Sequence, residues 1–233
     1  MDRKYSTVAR SLFALFLFAT LVGAADRADQ DWARLSFYRE ANSQLGPTSG
    51  TRVVFVGDSI TQGWQAQPLF KNNPDFVGRG IGGQTLPQML VRFRADAIGL
   101  KPAVIHLMGG TNDVAENTGP ESDEEIQGYI MSMVELARAN GIKVVLAAIP
   151  PASDFTWRPG LNPAPRIKRL NAWSRDYAMR RGLVYVDYAS VLATSDGGMK
   201  REFSEDGVHP NAAGYAAMQP LASAAIRQSL QAH

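Results

Sequence analysis

The stretch VVFVGDSITQGW, residues 53–64, decides how this chain is read. Val53, Val54, Phe55 and Val56 run without polar alternation to Gly57, and there the run stops. An unalternated apolar run of this length fits a strand buried on both faces, the habit of parallel sheets. Asp58 and Ser59 follow at once, with Thr61, Gln62 and Gly63 behind them. Two readings of this junction compete. Asp58 or Ser59 caps the next helix, since both residue types are favoured N-caps; or Ser59 is a nucleophile presented at the rim of a sheet.

Outward from that junction a rhythm continues. Further β-branched runs lie at about 76–81, at 103–109 (AVIHLMG), at 143–149 (KVVLAAI) and at 183–188 (LVYVDY). Amphipathic stretches at about 84–99, 121–140, 165–181 and 211–230 separate or follow them. Strand runs alternating with helical patterns predict a five-stranded parallel sheet covered on both faces, with right-handed crossovers: a doubly wound three-layer α/β/α sandwich. Ahead of the first strand, DQDWARLSFYREANSQL (29–45) carries Trp32, Leu35, Phe37 and Tyr38 at helical spacing, and Gly46-Pro47 ends it. The Pro-rich IPPASDFTWRPGLNPAP (149–165) reads as a long loop within the domain.

In such sheets ligands bind beyond the carboxyl ends of the strands. GDSITQ, GGQT (82–85), GGTND (109–113), the loop from Pro150 and EDGVHPN (205–211) each follow a predicted strand, so five polar or Gly-rich segments are expected on one edge.

The first 25 residues differ from the rest. Arg3, Lys4 and Arg10 precede the apolar SLFALFLFATLVG (11–23), and small residues precede the charged DRADQD. That three-part layout predicts a signal peptide over 1–25, a mature domain over 26–233 and a secreted or periplasmic protein, without stable membrane association once the leader is removed. The whole chain has 24 basic and 22 acidic residues; without Arg3, Lys4, Arg10 and Asp2 it has 21 of each. A neutral chain with no basic cluster offers no footprint for nucleic acid. With no cysteine, disulfides, thiolate catalysis and Cys-ligated metals are excluded.

A serine hydroxyl attacks an ester only when a base takes its proton, and that base is usually a histidine oriented by a carboxylate. Of three histidines, His106 lies within a strand that reads as buried and His233 is the last residue. His209 remains, three positions after Asp206 and stiffened by Pro210. Ester cleavage also needs donors for the oxyanion. The amides of Ser59 and Gly83 and the side chain of Asn112 are candidates, although glycine pairs and asparagines also serve ordinary turns.

Gly57-Asp58-Ser59, Gly83, Asn112 and Asp206-x-x-His209, in this order, resemble the four blocks of the SGNH hydrolases, also called GDSL esterases/lipases. VVFVGDSITQGW, RGIGGQT, LMGGTND and DGVHPNAAGY further resemble bacterial relatives of the catalytic subunits of platelet-activating-factor acetylhydrolase Ib. The resemblance spans about residues 50–225 and implies a flavodoxin-like sandwich and a serine esterase without metal or cofactor. It implies Ser59 as nucleophile, His209 as base, Asp206 as its orienting partner, and an oxyanion hole from Ser59, Gly83 and Asn112. Many members carry an asparagine a few residues before the second-block glycine, where this chain has Gly78-Arg79. Asp58, a second carboxylate beside the nucleophile, is expected to bond backbone amides of the turn.

Trp64 beside the nucleophile and Phe155, Trp157 and Arg158 in the long loop are candidate substrate contacts. The expected substrate is a small-molecule ester with a short acyl chain, acetyl on carbohydrate included. A lysophospholipase or thioesterase activity, a non-catalytic flavodoxin-like binding module and an inactive cell-envelope interaction protein are the alternatives. Oligomeric state is not legible in the sequence.

Overall fold

Five parallel strands form one sheet in the order β2-β1-β3-β4-β5. They are β1 (Val53–Gly57), β2 (Phe76–Gly80), β3 (Val104–Met108), β4 (Lys143–Ala147) and β5 (Val184–Val186). The computed structural model describes residues 31–48 and 50–231; the expected signal peptide lies outside these. Register is continuous through the centre, with Val53 paired to Phe76 on one side and to Val104 on the other.

Side chains on a strand alternate between faces, and β1 is apolar on both. Val54 and Val56 join a core with Leu86, Met89, Ile105, Ile130 and Ile167. Val53 and Phe55 join a second core with Ile60, Trp64, Val145, Met218 and Ile226. The first core is closed by α4 (Leu86–Asp96), α6 (Asp123–Ala139) and α7 (Ala164–Arg181), the second by α2 (Ser59–Trp64) and α9 (Ala212–Gln231). Shorter helices are α1 (Arg39–Ser43), α3 (Pro68–Lys71), α5 (Thr111–Val114) and α8 (Ala189–Leu192). This is the three-layer α/β/α sandwich that the strand rhythm predicts. From β1 the chain steps to β2 on one side and then crosses back past β1 to β3 on the other, so the topological switch point lies between β1 and β3. Ser59 follows the first of these strands and Asn112 the second, at the edge where doubly wound sheets hold ligands.

The helix expected over 29–45 is a correction: among the described residues of that span, from Asp31 on, only Arg39–Ser43 is helical. The Asp31 carboxylate accepts from the amides of Leu35 and Ser36 and from the Ser36 hydroxyl, so it serves amides that a helix would have bonded along its axis. Arg34 adopts a left-handed φ of +53°. The segment becomes a strap, tied to the sheet edge by Tyr38 Oη donating to the Gly80 carbonyl at 2.5 Å. Gln84 and Gln88 donate from their side-chain amides to the carbonyls of Ala33 and Trp32.

Candidate active site

Ser59 is the first residue of α2, and Asp58 is its N-cap, accepting from the Ile60 amide at 2.9 Å. Of the two residues that could cap this helix, Asp58 is the cap, which leaves the Ser59 hydroxyl free of that role. Gly57 permits the turn, because a Cβ there would lie 2.1 Å from Thr61 Oγ1 and 2.5 Å from the Met108 carbonyl. Burial pushes the Asp58 carboxyl up to about 6, against amide bonds and His209 that favour the ionised form. The folded state therefore holds a proton that the unfolded chain releases near pH 4, and stability falls as pH rises from about 4 to 6, by on the order of 3 kcal/mol. Asp58→Asn keeps a cap oxygen and removes the titration. In urea unfolding, its stability relative to wild type is expected to improve by about 2–3 kcal/mol between pH 4 and pH 7.5; a constant difference would contradict the buried carboxylate.

Ser59 Oγ lies 2.9 Å from His209 Nε2, across 150 residues of sequence. On the far side of the ring, His209 Nδ1 is 2.6 Å from Asp206 Oδ2. The other carboxylate oxygen accepts from the amides of Val208 and His209 and from the Ser204 hydroxyl. Partial burial raises the Asp206 carboxyl, but the bonds from the His209 ring and from these amides outweigh it and hold the group at about 2. An ionised carboxylate only accepts, so Nδ1 carries the imidazole proton and Nε2 presents its lone pair to Ser59. Pro210 follows, and Asn211 caps α9 by accepting from the Gly214 amide. Tyr215, one turn into α9, donates its hydroxyl to the Ile60 carbonyl at 2.8 Å and stacks on Trp64. The helix that follows the histidine is thereby fastened to the helix that begins at the serine.

The Gly83 turn faces this pair. Gly83 has φ +77°, which favours glycine, and Gly82 N–H donates to Gln62 Oε1 in α2. A Cβ on Gly82 would stand 3.8 Å from that of Ser59. Asn112 is buried, and its Nδ2 donates to the Gln84 carbonyl at 3.0 Å. Asp113 accepts from the Leu86 amide at 2.9 Å, a second tie between the β2 and β3 loops. Beneath them lies Arg92, fully buried, donating to the Gly57 carbonyl, to Gln84 Oε1 and to Asp96. It links the backbone just before the serine to the residue just after Gly83. The Gly78-Arg79 departure is accommodated: Arg79 donates to Asn42 Oδ1 and to the Gly78 carbonyl, and lies over the Tyr38 ring.

The aromatic candidates divide. Trp64 and Phe155 have no exposed surface and are corrected from substrate contacts to core residues. Trp64 packs among Phe55, His106, Tyr188 and Tyr215, and Phe155 joins the core under α7. Trp157 stays at the surface, its ring 6.2 Å from that of His209. Arg158 pairs with Glu116 at 2.9 Å. His106 is the core histidine its strand implied: its Nε2 meets Tyr188 Oη at 2.8 Å, and burial lowers its pKa to about 3, so it is neutral. Sequence reading missed Arg92, Gln84, Tyr215 and Asn117, whose positions carry no local signal of their tertiary partners.

Ser59, His209 and Asp206 thus stand in hydrogen-bonded series at the carboxyl edge of a doubly wound sheet. The chain belongs to the GDSL-like lipase/acylhydrolase family, whose model matches residues 55–217, and is by class a carboxylic ester hydrolase. It is similar to a GDSL-like lipase from Bacteroides thetaiotaomicron, at 40% identity and a TM-score of 0.81, covering 84% of this chain and 98% of that one. It is 30% identical to Esterase TesA of Pseudomonas aeruginosa over 173 residues, 68% of this chain and 79% of TesA. Similarity to the Bacillus subtilis lipoprotein YqeF, 32% over 112 residues, spans 40% of this chain and 46% of that protein.

Proposed function

We propose that this protein hydrolyses small esters of short acyl chains, acetyl foremost, through an acyl-enzyme on Ser59. The observation that carries the reading is the unbroken chain from Ser59 Oγ through His209 to Asp206, at 2.9 and 2.6 Å. His209 Nε2 takes the hydroxyl proton as Oγ attacks the ester carbonyl. The tetrahedral oxyanion is met by the amides of Ser59 and Gly83 and by Asn112 Nδ2; the first amides of a helix have no intrahelical acceptor and are available for this. His209 then gives its proton to the leaving alcohol, whose C–O bond breaks. Water attacks the acyl-serine by the same route and restores Ser59.

Short chains are favoured because Trp64 and Phe155, which would have lengthened an apolar wall, face the core. Trp157 offers an exposed ring beside His209, suited to stacking on a sugar that carries the acyl group. Export is part of the same proposal, resting on the leader-like residues 1–25. No helix among the described residues is long and apolar enough to cross a membrane.

A p-nitrophenyl ester ladder from acetate to palmitate tests the reading. Wild type is expected to turn over acetate and butyrate fastest, and His209→Ala to lose that turnover while remaining folded. Preference for palmitate would replace the short-chain assignment with a lysophospholipase or thioesterase activity. An active His209→Ala enzyme would sink the mechanism.

A further inference from the structure

We propose that Trp157 and Asn117 form a positioning relay that fixes which edge of the Asn112 amide faces the reacting centre. The relay rests on the reading of Asn112 as an oxyanion donor. An asparagine amide has donors on one edge and an acceptor on the other, and both orientations occupy the same space. Only one serves the chemistry, because a half-turn would set the Asn112 carbonyl oxygen against the developing negative charge.

The orientation is set from outside the pair. Trp157 Nε1 can only donate, and it lies 3.0 Å from Asn117 Oδ1. The Nδ2 of Asn117 is thereby committed to the opposite edge. There it donates to Asn112 Oδ1 at 2.8 Å and lies 3.4 Å from the Gly83 carbonyl oxygen, which can only accept. With Oδ1 engaged, Asn112 Nδ2 gives one hydrogen to the Gln84 carbonyl and has a second for a ligand. A donor-only indole at one end and acceptor-only carbonyls at the other leave both amides a single consistent assignment. The backbone holds their spacing, since the Asn117 amide donates to the Asn112 carbonyl at 2.9 Å.

The relay begins on the loop after β4, whereas Asn112 belongs to the segment after β3. Consecutive loop residues grip consecutive residues of that segment: Trp157 bonds Asn117, and Arg158 pairs with Glu116. The Trp157 ring also flanks His209. Docking of one loop thus sets the polarity of the oxyanion hole and borders the base.

Two substitutions separate this role from packing. Trp157→Phe keeps a ring and deletes the donor; its kcat on p-nitrophenyl acetate is expected to fall about fivefold, the worth of one ordinary hydrogen bond. Asn117→Asp keeps the shape and sets a carboxylate against Asn112 Oδ1, and should cost about fiftyfold, approaching loss of an oxyanion donor. KM is expected to stay within about twofold in both, since the contact matters mainly in the transition state. The second readout is inhibition by phenylboronic acid, whose tetrahedral adduct on Ser59 places an anionic oxygen in the hole. Its Ki should rise in step with the fall in kcat/KM, which a general packing defect would not produce.

Ser59→Ala and Asn112→Ala, measured in parallel, distinguish the two failures. If Ser59→Ala retains turnover, the serine mechanism fails and takes the relay with it. If both parallel variants are impaired while Trp157→Phe and Asn117→Asp match wild type, or lose activity through KM without weakening the boronate, the mechanism survives and the relay is overturned.

Discussion

Ser59→Ala is expected to lower kcat by about a millionfold on p-nitrophenyl acetate, as loss of a serine nucleophile does elsewhere. The expected change in stability is small. Ser59 is only half-buried, and its hydroxyl meets His209 at the surface end of α2, so deleting one oxygen opens no core cavity. Alanine is also a good helix former at this position. Asp58 continues to cap α2 through Ile60, and Tyr215 continues to hold its backbone. The variant should therefore unfold in urea within about 0.5 kcal/mol of wild type, as surface substitutions do. Activity within tenfold of wild type in a folded Ser59→Ala protein would remove Ser59 from the mechanism.

Asp206→Asn is the second large effect, expected at about ten-thousandfold in kcat. The reasoning is one of hydrogen-bond polarity. Asparagine keeps an oxygen for the amides of Val208 and His209, so the loop that carries the histidine retains its shape. The new NH2 group, however, confronts His209 Nδ1, where the carboxylate had accepted. Two donors cannot share that 2.6 Å contact, so the imidazole proton moves to Nε2. The lone pair that should take the Ser59 proton is lost, while the ring remains in place. KM is expected to change little, since the substitution leaves Trp157 and the glycine turn in place. Steady-state kinetics with a crystal structure of the variant checks this; turnover within tenfold of wild type, with the loop undisturbed, would contradict the assigned tautomer.

The fold was legible because its signal is local. From the second strand run onward each is followed by a helical pattern, and β1 reads as buried on both faces because Val53, Val54, Phe55 and Val56 leave no polar face. The sheet edge was legible for the same reason, as GDSITQ, GGQT and GGTND each begin where an apolar run ends. Failures occurred where a distant partner decides the outcome. Trp64 beside the serine looked like a site wall, but Tyr188 and Tyr215 enclose it from more than a hundred residues away. Trp32, Leu35 and Phe37 kept helical spacing, yet Asp31 captured the amides that a helix needs, and all three side chains remain exposed. Arg92 sits on an ordinary helical face, and nothing in its neighbourhood along the chain announces a fully buried guanidinium between Gly57 and Gln84. Asn117 is similar: its role exists only because Trp157, forty residues on, supplies a donor.

Mass spectrometry after treatment with a p-nitrophenyl alkylphosphonate tests the central claim most directly. Such a reagent transfers its phosphonyl group to an activated serine and releases p-nitrophenol, leaving a stable mimic of the tetrahedral intermediate. The account predicts one adduct per chain, on the peptide that contains Ser59, formed in parallel with loss of esterase activity and absent from Ser59→Ala and His209→Ala. Complete loss of activity with the adduct on another residue, or full labelling of Ser59 in an enzyme that still hydrolyses esters, would contradict it.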